Sequence, residues 1–344
     1  MPERTYERKP EHELGCVSEH ISDKKVVVIT GPTATGKTAL GALIARELGG
    51  EVVSADSMQI YKYMDIGAAK PTQEERLGVP HHMLDAVSPL EEYSVARYVT
   101  EASQCIDDII ARGKQPFIVG GTGLYIDSLL HGREFSIRAD NNLRSSLEKE
   151  YDALGADVIH GRLKEIDPAA AARLHPNDKK RIVRALEIYH LSGKTISQHD
   201  AETRAHPPRY EALKLALTFA DRKDLYARID KRVDRMFRLG LENEVRTLLD
   251  MGVPLDSTAM QAIGYKEVAG ALMGEYSMEA AAEMIKQSSR RYAKRQLTWL
   301  RRDERVRWIA WDKEPEIEKC ARQLIDDLSI GICTGCAFGY EPAE

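Results

Sequence analysis

Short runs of apolar, often β-branched residues recur along the chain, separated by longer segments with helical periodicity. The runs cover residues 26–30, 51–55, 116–120, 214–217 and 306–309. They predict strands buried on both faces, because a half-exposed strand would alternate apolar and polar side chains. Helical patterns lie between them, as at 37–48 and 93–112. Strands that alternate with helices predict an α/β core built on a parallel sheet.

The pattern changes between residues 131 and 209, where strand-like runs stop and helical periodicity continues. Helices are predicted there at 141–154, 156–164 and 178–191. Because another strand-like run follows, we interpret the block as a helical insertion, and a movable lid is one use for it. The predicted domains are a polar, flexible tail (1–23), a core (24–130 and 210–312), the insertion (131–209), and a C-terminal helix and tail (313–344).

Composition narrows the class of protein. The 344 residues leave ample room for a buried core, and a net charge of −5 excludes a wholly basic nucleic-acid-binding surface but not a local basic patch. Five cysteines are too few and scattered for a disulfide framework, and the C-x-x-C pair Cys333 and Cys336 has no second pair to complete a metal site.

No apolar run reaches the ~20 residues of a membrane span. A cytoplasmic protein without membrane segments is expected.

A phosphate-binding loop follows the first predicted strand and precedes a predicted helix. Backbone N–H groups in such a loop, together with the positive end of the helix dipole, bind phosphate oxygens. Lys37 adds a positive charge, and Thr38 is placed to hold Mg²⁺. The core is therefore predicted to be a P-loop NTPase-like sheet with a mostly helical insertion domain. The loop residues are Gly31, Pro32, Thr33, Ala34, Thr35, Gly36, Lys37 and Thr38.

Two polar residues follow other strands at the same edge of the sheet, where open α/β sheets bind ligands. Asp56 comes directly after the second strand. It is a candidate general base, and a helix N-cap or an indirect Mg²⁺ ligand are equal alternatives. Thr122, in a glycine-rich turn, suits both an N-cap and a substrate contact. No acid suited to organising nucleotide hydrolysis ends the strand at 116–120.

Basic residues concentrate in two helical segments. One holds Lys179, Lys180, Arg181 and Arg184 in the insertion, and the other holds nine positive charges in 22 residues. A solvated helix face is the usual explanation, but this density in an acidic protein favours contacts with a nucleic-acid backbone. The second segment contains Lys286, Arg290, Arg291, Lys294, Arg295, Arg301, Arg302, Arg305 and Arg307.

Seven motifs in this order and spacing resemble one family, the tRNA dimethylallyltransferases, over about residues 24 to 312. The matching stretches are GPTATGKT (31–38), DSMQIY (56–61), MDIGAAKP (64–71), GGTGLY (120–125), RIVRALE (181–187), MQAIGYKE (260–267) and AKRQLTW (293–299).

The resemblance implies transfer of a dimethylallyl group from dimethylallyl diphosphate to the exocyclic N6 amine of the adenine that is 3′-adjacent to the anticodon. The P-loop would grip the donor diphosphate with Mg²⁺ at Thr38. Lys37, Asp56 and Thr122 would be the catalytic residues, with Asp56 accepting the amine proton. Diphosphate is then a leaving group, which explains the missing hydrolytic acid.

The resemblance also implies contacts with substrates. Arg228 would help hold the donor or the tRNA, with Arg232 as an equal alternative. The partner would be a tRNA anticodon stem-loop bound by a monomer. The implied tRNA contacts are Asp56, Ser57, Met58, Gln59, Thr122, Arg144, Lys180, Arg181, Ile182, Val183 and Arg184.

Three other functions remain open at this point. A small-molecule kinase would also use a P-loop and a strand-end aspartate. A prenyltransferase acting on free adenine nucleotides would share the chemistry but would not need two basic helices. A non-catalytic RNA-binding module would not need an intact P-loop.

Overall fold

The computed structural model describes residues 25–132, 140–205 and 207–329. The predictions for residues 1–23 and for Cys333 and Cys336 lie outside these ranges. The strands are β1 (Lys25–Thr30), β2 (Glu51–Ser54), β3 (His81–His82), β4 (Pro116–Val119), β5 (Glu211–Phe219) and β6 (Val306–Trp311).

Helices connect the strands and form the block between β4 and β5. They are α1 (Lys37–Glu47), α2 (Val95–Ala111), α3 (Gly123–Leu130), α4 (Asn141–Leu154), α5 (Ala156–Ile166), α6 (Pro168–Arg173), α7 (Lys179–Ser192), α8 (Ile196–Ala205), α9 (Arg222–Leu239), α10 (Leu241–Asp250), α11 (Tyr265–Leu272), α12 (Met278–Leu300) and α13 (Ile317–Ser329).

The six strands form one sheet in the order β3-β2-β4-β1-β5-β6, and every pair is parallel. The predicted parallel α/β core is confirmed. The structure adds β3, which two histidines form beside β2 and which no apolar run announced. It also lengthens β5 beyond the predicted 214–217, because β5 pairs with β1 on one side and with β6 on the other.

Both faces of the sheet are covered, as the continuous apolar strands require. Side chains of β1 alternate between the faces because successive residues of a strand point in opposite directions. Val26 and Val28 join a cluster with α2, α3 and α10, whereas Val27 and Ile29 join a cluster with α1, α9 and α13. The carboxyl ends of β1, β2 and β4 therefore open onto one edge between these layers.

The block between α3 and β5 is helical and contains α4 to α8. Its apolar side chains form a separate cluster around Leu147, Leu163, Ile182 and Leu186. Its two ends meet, because the Leu130 carbonyl accepts hydrogen bonds from the Arg209 N–H at 2.8 Å and the Tyr210 N–H at 3.4 Å. The predicted helical insertion in an α/β core is thus present.

Within the described residues, no helix is both long and apolar enough to cross a membrane. The longest of them, α12, spans Met278–Leu300 and carries several charged side chains.

Candidate active site

The loop between β1 and α1 has the backbone that its glycines predict. Gly31 has φ +141°, and a Cβ there would lie 2.5 Å from the Leu217 carbonyl oxygen of the neighbouring strand β5. Gly36 has φ +87° and begins α1. Both positions therefore need glycine, one for space and one for backbone conformation.

Hydrogen bonds within this P-loop and behind it hold its shape. The Thr35 hydroxyl donates to the Pro32 carbonyl at 2.8 Å, so the Thr35 side chain is buried in the loop rather than turned to a ligand. The Lys37 ammonium reaches the same carbonyl at 3.4 Å. From β6, the Trp311 indole N–H donates to the Thr35 carbonyl at 2.9 Å. The loop is thus supported before any ligand binds.

Asp56 and Thr122 are brought together at this edge, as sequence reasoning predicted. The Thr122 hydroxyl oxygen accepts the Ser57 N–H at 3.0 Å, and the Thr122 N–H donates to the Ala55 carbonyl at 3.1 Å. Gly120 permits this close approach, since a Cβ there would lie 2.2 Å from the Ala55 carbonyl oxygen. The side chain of Thr122 does not cap α3, although Thr122 is its N-cap residue.

Asp56 does not cap a helix, because turns rather than a helix follow β2. Its Oδ1 accepts the Met58 N–H at 3.0 Å, which fixes the carboxylate in the turn. Among the interpretations open from the sequence, the N-cap is therefore wrong. A general base and an indirect Mg²⁺ ligand both remain compatible with the geometry.

Lys37, Thr38, Asp56 and Gln59 line a single cleft at the carboxyl edge of the sheet. Burial and, to a smaller extent, the charge of Arg232 lower the pKa of Lys37 to about 8, although Asp56 acts in the opposite direction. Burial also lowers the pKa of Arg232, while Asp56 raises it. Two cations and one carboxylate thus interact here, which is an arrangement that favours binding of an anion.

The two arginines of α9 have different surroundings. The Arg228 guanidinium donates to the Ala34 carbonyl at 3.2 Å, pairs with Glu314 and lies over the Phe219 ring. It therefore braces the outside of the P-loop. Arg232, one turn further along α9, interacts electrostatically with Lys37 and Asp56. The charge of Arg232 thus interacts with two residues of the cleft, whereas the guanidinium of Arg228 is bonded to Ala34 and Glu314.

A family model described as IPP transferase matches residues 59–303 of the chain. The chain belongs to the IPP transferase family. The match starts three residues after Asp56, and it includes the Thr122 turn, the insertion, α9 and α12.

Curated relatives extend the match over most of the chain. A tRNA dimethylallyltransferase from Acetivibrio thermocellus is 49% identical over 300 residues, covering 87% of this chain and 96% of the relative. One from Geobacter sulfurreducens is 49% identical over 290 residues, covering 84% and 93%.

Solved structures of family members agree with the fold. A tRNA isopentenylpyrophosphate transferase from Bacillus halodurans is 42% identical with a TM-score of 0.66, covering 89% of this chain and 96% of that one. A eukaryotic dimethylallyltransferase described as acting on tRNA is 32% identical with a TM-score of 0.76, covering 90% and 80%.

The predicted contact residues in the insertion divide into three groups. Lys180 and Arg181 are exposed. Ile182 and Val183 are buried in the insertion's own core, so their side chains do not face a partner, contrary to prediction. Helical spacing with Leu186 was the signal that would have assigned them to the core.

Arg144 and Arg184 share a buried acid. Both guanidinium groups donate to the Glu187 carboxylate, at 2.8 Å in each case, and Glu187 is fully buried. Burial alone raises the pKa of Glu187, but the bonds from Arg184 and Arg144 outweigh it and lower the pKa. This pairing ties α4 to α7 and places the two arginines side by side at the surface of the insertion.

The second basic segment is only partly available to a partner. Lys286 pairs with Asp234, Arg290 with Asp230 and Arg305 with Asp303, so these three charges stabilise the fold. Within the described ranges, Arg291, Lys294, Arg295, Arg301 and Arg302 are exposed and form no ion pair. We call these five residues the basic strip.

Sequence reasoning missed several residues at the site. Tyr292 lies beside Asp56 and Thr122, and burial raises its pKa to about 12, with Asp56 adding to the shift and the Thr122 hydrogen bond opposing it. Gln296 bonds to the P-loop and to the Thr122 turn. Gln296 lies in the AKRQLTW motif and Tyr292 directly precedes it. The prediction for this segment rested on the charge of its basic residues, which is why neither side chain was assigned to the site.

Metal ligands are sparse at this site. Across residues 25–132, 140–205 and 207–329, no three His, Cys, Asp or Glu side chains converge to hold a metal ion. The Thr38 hydroxyl and the Asp56 carboxylate are among the side-chain oxygens that share the cleft with Lys37. Such a site suits a cation whose remaining ligands come from a bound phosphate and water, which is the usual situation of Mg²⁺.

Proposed function

We propose that this protein transfers a dimethylallyl group from dimethylallyl diphosphate to the N6 amine of the adenine 3′-adjacent to the anticodon in tRNA, releasing diphosphate. The observation that carries the proposal is the shared cleft, in which an anion-binding loop with Lys37 and a carboxylate, Asp56, face the same space. Membership of the family and the names of the relatives support the choice of donor and acceptor.

The donor diphosphate would bind at the P-loop. Breaking the allylic C–O bond moves an electron pair onto the bridging diphosphate oxygen, so negative charge grows there while positive charge grows on the prenyl carbon. The loop N–H groups and Lys37 would stabilise that oxygen, because hydrogen bonds hold the loop before the bond breaks, and Arg232 would add positive charge. Arg228 contributes by bracing the loop at Ala34 rather than by touching the donor.

The acceptor amine would lie between Asp56 and Thr122. An exocyclic adenine amine is a weak nucleophile, so alignment and removal of its proton both lower the barrier. Nitrogen attacks the allylic carbon, and the proton passes to the free oxygen of Asp56, whose Oδ1 is held by the Met58 N–H. The adenine must leave its stack to reach this cleft. Thr122, fixed by Ser57, then offers a hydroxyl to orient the base.

Mg²⁺ fits this arrangement, with Thr38 and the donor diphosphate as its ligands. When bound, it would neutralise part of the leaving-group charge. Asp56 lies in the same cleft. In its alternative role as an indirect Mg²⁺ ligand, it would accept a hydrogen bond from a water bound to the metal.

The anticodon stem-loop would lie across the basic strip and the exposed Lys180 and Arg181 of the insertion. These exposed cations, of which Arg181 is paired with Asp178, are suited to phosphate contacts, which supply most of the affinity in nucleic-acid binding. Gln59 contributes indirectly, since its amide accepts from Ser54 and donates to the Ala68 and Ala69 carbonyls. We propose that the reaction takes place in the cytoplasm, in keeping with a tRNA acceptor, and that one monomer binds one stem-loop.

The deciding experiment supplies the purified protein with dimethylallyl diphosphate, Mg²⁺ and either unmodified tRNA or AMP, and looks for prenylated adenine by mass spectrometry. We expect product with tRNA and none with AMP. Product with AMP alone would instead establish a nucleotide prenyltransferase. Consumption of ATP with phosphorylated product, and no prenyl transfer, would establish a small-molecule kinase.

A further inference from the structure

Gln296 lies on α12 among basic residues but faces the protein interior. Its side chain is buried, with 7% of the residue exposed. Its Oε1 accepts the Thr33 N–H of the P-loop at 3.2 Å, and its Nε2 donates to the Gly121 carbonyl at 2.8 Å. One side-chain amide therefore connects the loop after β1 with the turn after β4.

The glycines of that turn are explained by this contact. A Cβ on Gly121 would lie 2.3 Å from the Gln296 Nε2, and a Cβ on Gly123 would lie 2.4 Å from the Trp299 ring. Gln296 and Trp299 are three residues apart on α12, so they lie on one face of the helix, and this face packs against the turn at two points. The residue between the two glycines is Thr122, whose hydroxyl faces the Asp56 turn.

The glutamine amide satisfies both partners at neutral pH. The Thr33 N–H requires an acceptor and the Gly121 carbonyl requires a donor, and the two ends of a glutamine side chain provide one each. A carboxylate would accept from Thr33 but repel the Gly121 carbonyl. A thioether of similar length offers Thr33 only a weak acceptor and offers Gly121 no donor, and Gly121 is buried where water cannot easily replace the lost partner.

We propose that Gln296 is a positioning residue that sets the distance between the donor held by the P-loop and the acceptor held beside Thr122. The inference rests on the proposed prenyl transfer. Gln296 acts through Thr33 and Gly121 and does not touch the reacting atoms. Because displacement of reacting groups by about 1 Å can cost about 100-fold in rate, its loss should slow chemistry more than binding.

The first test replaces Gln296 by methionine and measures single-turnover transfer at saturating donor and tRNA. We expect the rate to fall about 10- to 100-fold. The affinity for tRNA measured without donor should change less than about threefold, because the basic strip is untouched. Gln287→Met is the matched control, since Gln287 lies on the same helix with an exposed side chain. It should behave like the wild type.

The second test uses Gln296→Glu and follows the ratio of its single-turnover rate to that of the wild type as pH changes. A protonated carboxyl group again offers one donor and one acceptor, so the ratio should rise as pH falls from about 8 to about 5.5. A residue that merely fills space would give a constant ratio. This variant also tests the inference if the methionine variant fails to fold.

The outcomes separate the two proposals. If the wild type transfers no prenyl group to tRNA, the proposed function is wrong. If the wild type is active and the methionine variant is equally fast, or the ratio for the glutamate variant is independent of pH, the role of Gln296 is wrong while the proposed function stands. An equal loss of rate and of tRNA affinity in a folded methionine variant would also overturn the positioning role of Gln296.

Discussion

Glu244 and Gly67 are 177 residues apart in the sequence, yet the Gly67 N–H donates to the Glu244 Oε1 at 3.0 Å. The same carboxylate accepts the N–H groups of Asp65 and Ile66 at 2.8 and 2.7 Å. Tyr265 completes the contact, because its hydroxyl donates to Glu244 and accepts from the Ala68 N–H. The MDIGAAKP segment is therefore folded around one internal carboxylate on α10.

This carboxylate should stabilise the acceptor side of the site, because the Ala68 and Ala69 carbonyls in turn hold Gln59. Replacing Glu244 by glutamine puts an amide N–H against backbone N–H donors. We expect the free energy of unfolding to fall by about 1–3 kcal/mol in urea denaturation. Glu242→Gln on the same helix is the control, since Glu242 forms an exposed ion pair with Arg246 on the surface of that helix. Equal stabilities for the two variants would contradict this account.

Asp56→Asn should abolish most prenyl transfer while leaving tRNA binding intact. Asparagine keeps an oxygen for the Met58 N–H, so the turn is preserved, but it cannot accept the amine proton. We expect the single-turnover rate to fall by about 10²- to 10⁴-fold. Asp108→Asn, on the exposed side of α2, serves as the control. A near-normal rate in Asp56→Asn would rule out a general base at this position.

Donor affinity should decrease as pH rises above about 8. In the free protein, burial and Arg232 lower the pKa of Lys37 to about 8, so the ammonium loses its proton above that pH. A bound diphosphate favours the charged form, so above pH about 8 Lys37 must take up a proton when the donor binds, and donor affinity falls by up to about tenfold per pH unit. Calorimetry in buffers of different ionisation enthalpy measures this uptake.

The matched variant is Lys37→Met, which removes the titrating group and should show no such uptake. Equal affinity of the wild-type protein for dimethylallyl diphosphate at pH about 7 and about 9.5 would show that Lys37 does not hold the diphosphate as a cation.

Arg295 and Arg290 should differ in their effect on tRNA binding although they lie on the same helix. Arg295 belongs to the basic strip and lies over the Tyr292 ring, whereas Arg290 is paired with Asp230. Arg295→Gln should weaken binding and reduce the slope of log affinity against log salt by about 0.7–0.9. Arg290→Gln should leave that slope unchanged. Identical slopes for both variants would place the tRNA elsewhere.

Much of the fold could be predicted from local pattern. The strands β1, β2, β4, β5 and β6 are apolar runs, and the P-loop follows from its spacing alone. The short β3 could not be predicted, because His81 and His82 form a strand only through pairing with β2. The full length of β5 likewise depends on two neighbouring strands, which sequence pattern does not reveal.

The site was predictable where a residue acts through its own position in a motif, as Asp56 and Thr122 do. It was not predictable where a role depends on a distant partner. Arg228 and Arg232 cannot be told apart in the sequence, because they lie one helical turn apart on α9. In the structure Arg228 pairs with Glu314, whereas the charge of Arg232 acts on Lys37 of the P-loop. Likewise, packing of α12 against α9 pairs Lys286 and Arg290 with acids and leaves the basic strip exposed.

The bonds from Arg209 and Tyr210 to the Leu130 carbonyl have a consequence for how such a chain evolves. The insertion leaves and rejoins the core at neighbouring points, so its whole length is accommodated without spreading the strands β1, β4 and β5. A segment joined in this way can grow, shrink or be exchanged while the catalytic edge of the sheet keeps its geometry. Substrate choice and chemistry can therefore diverge separately within one polypeptide.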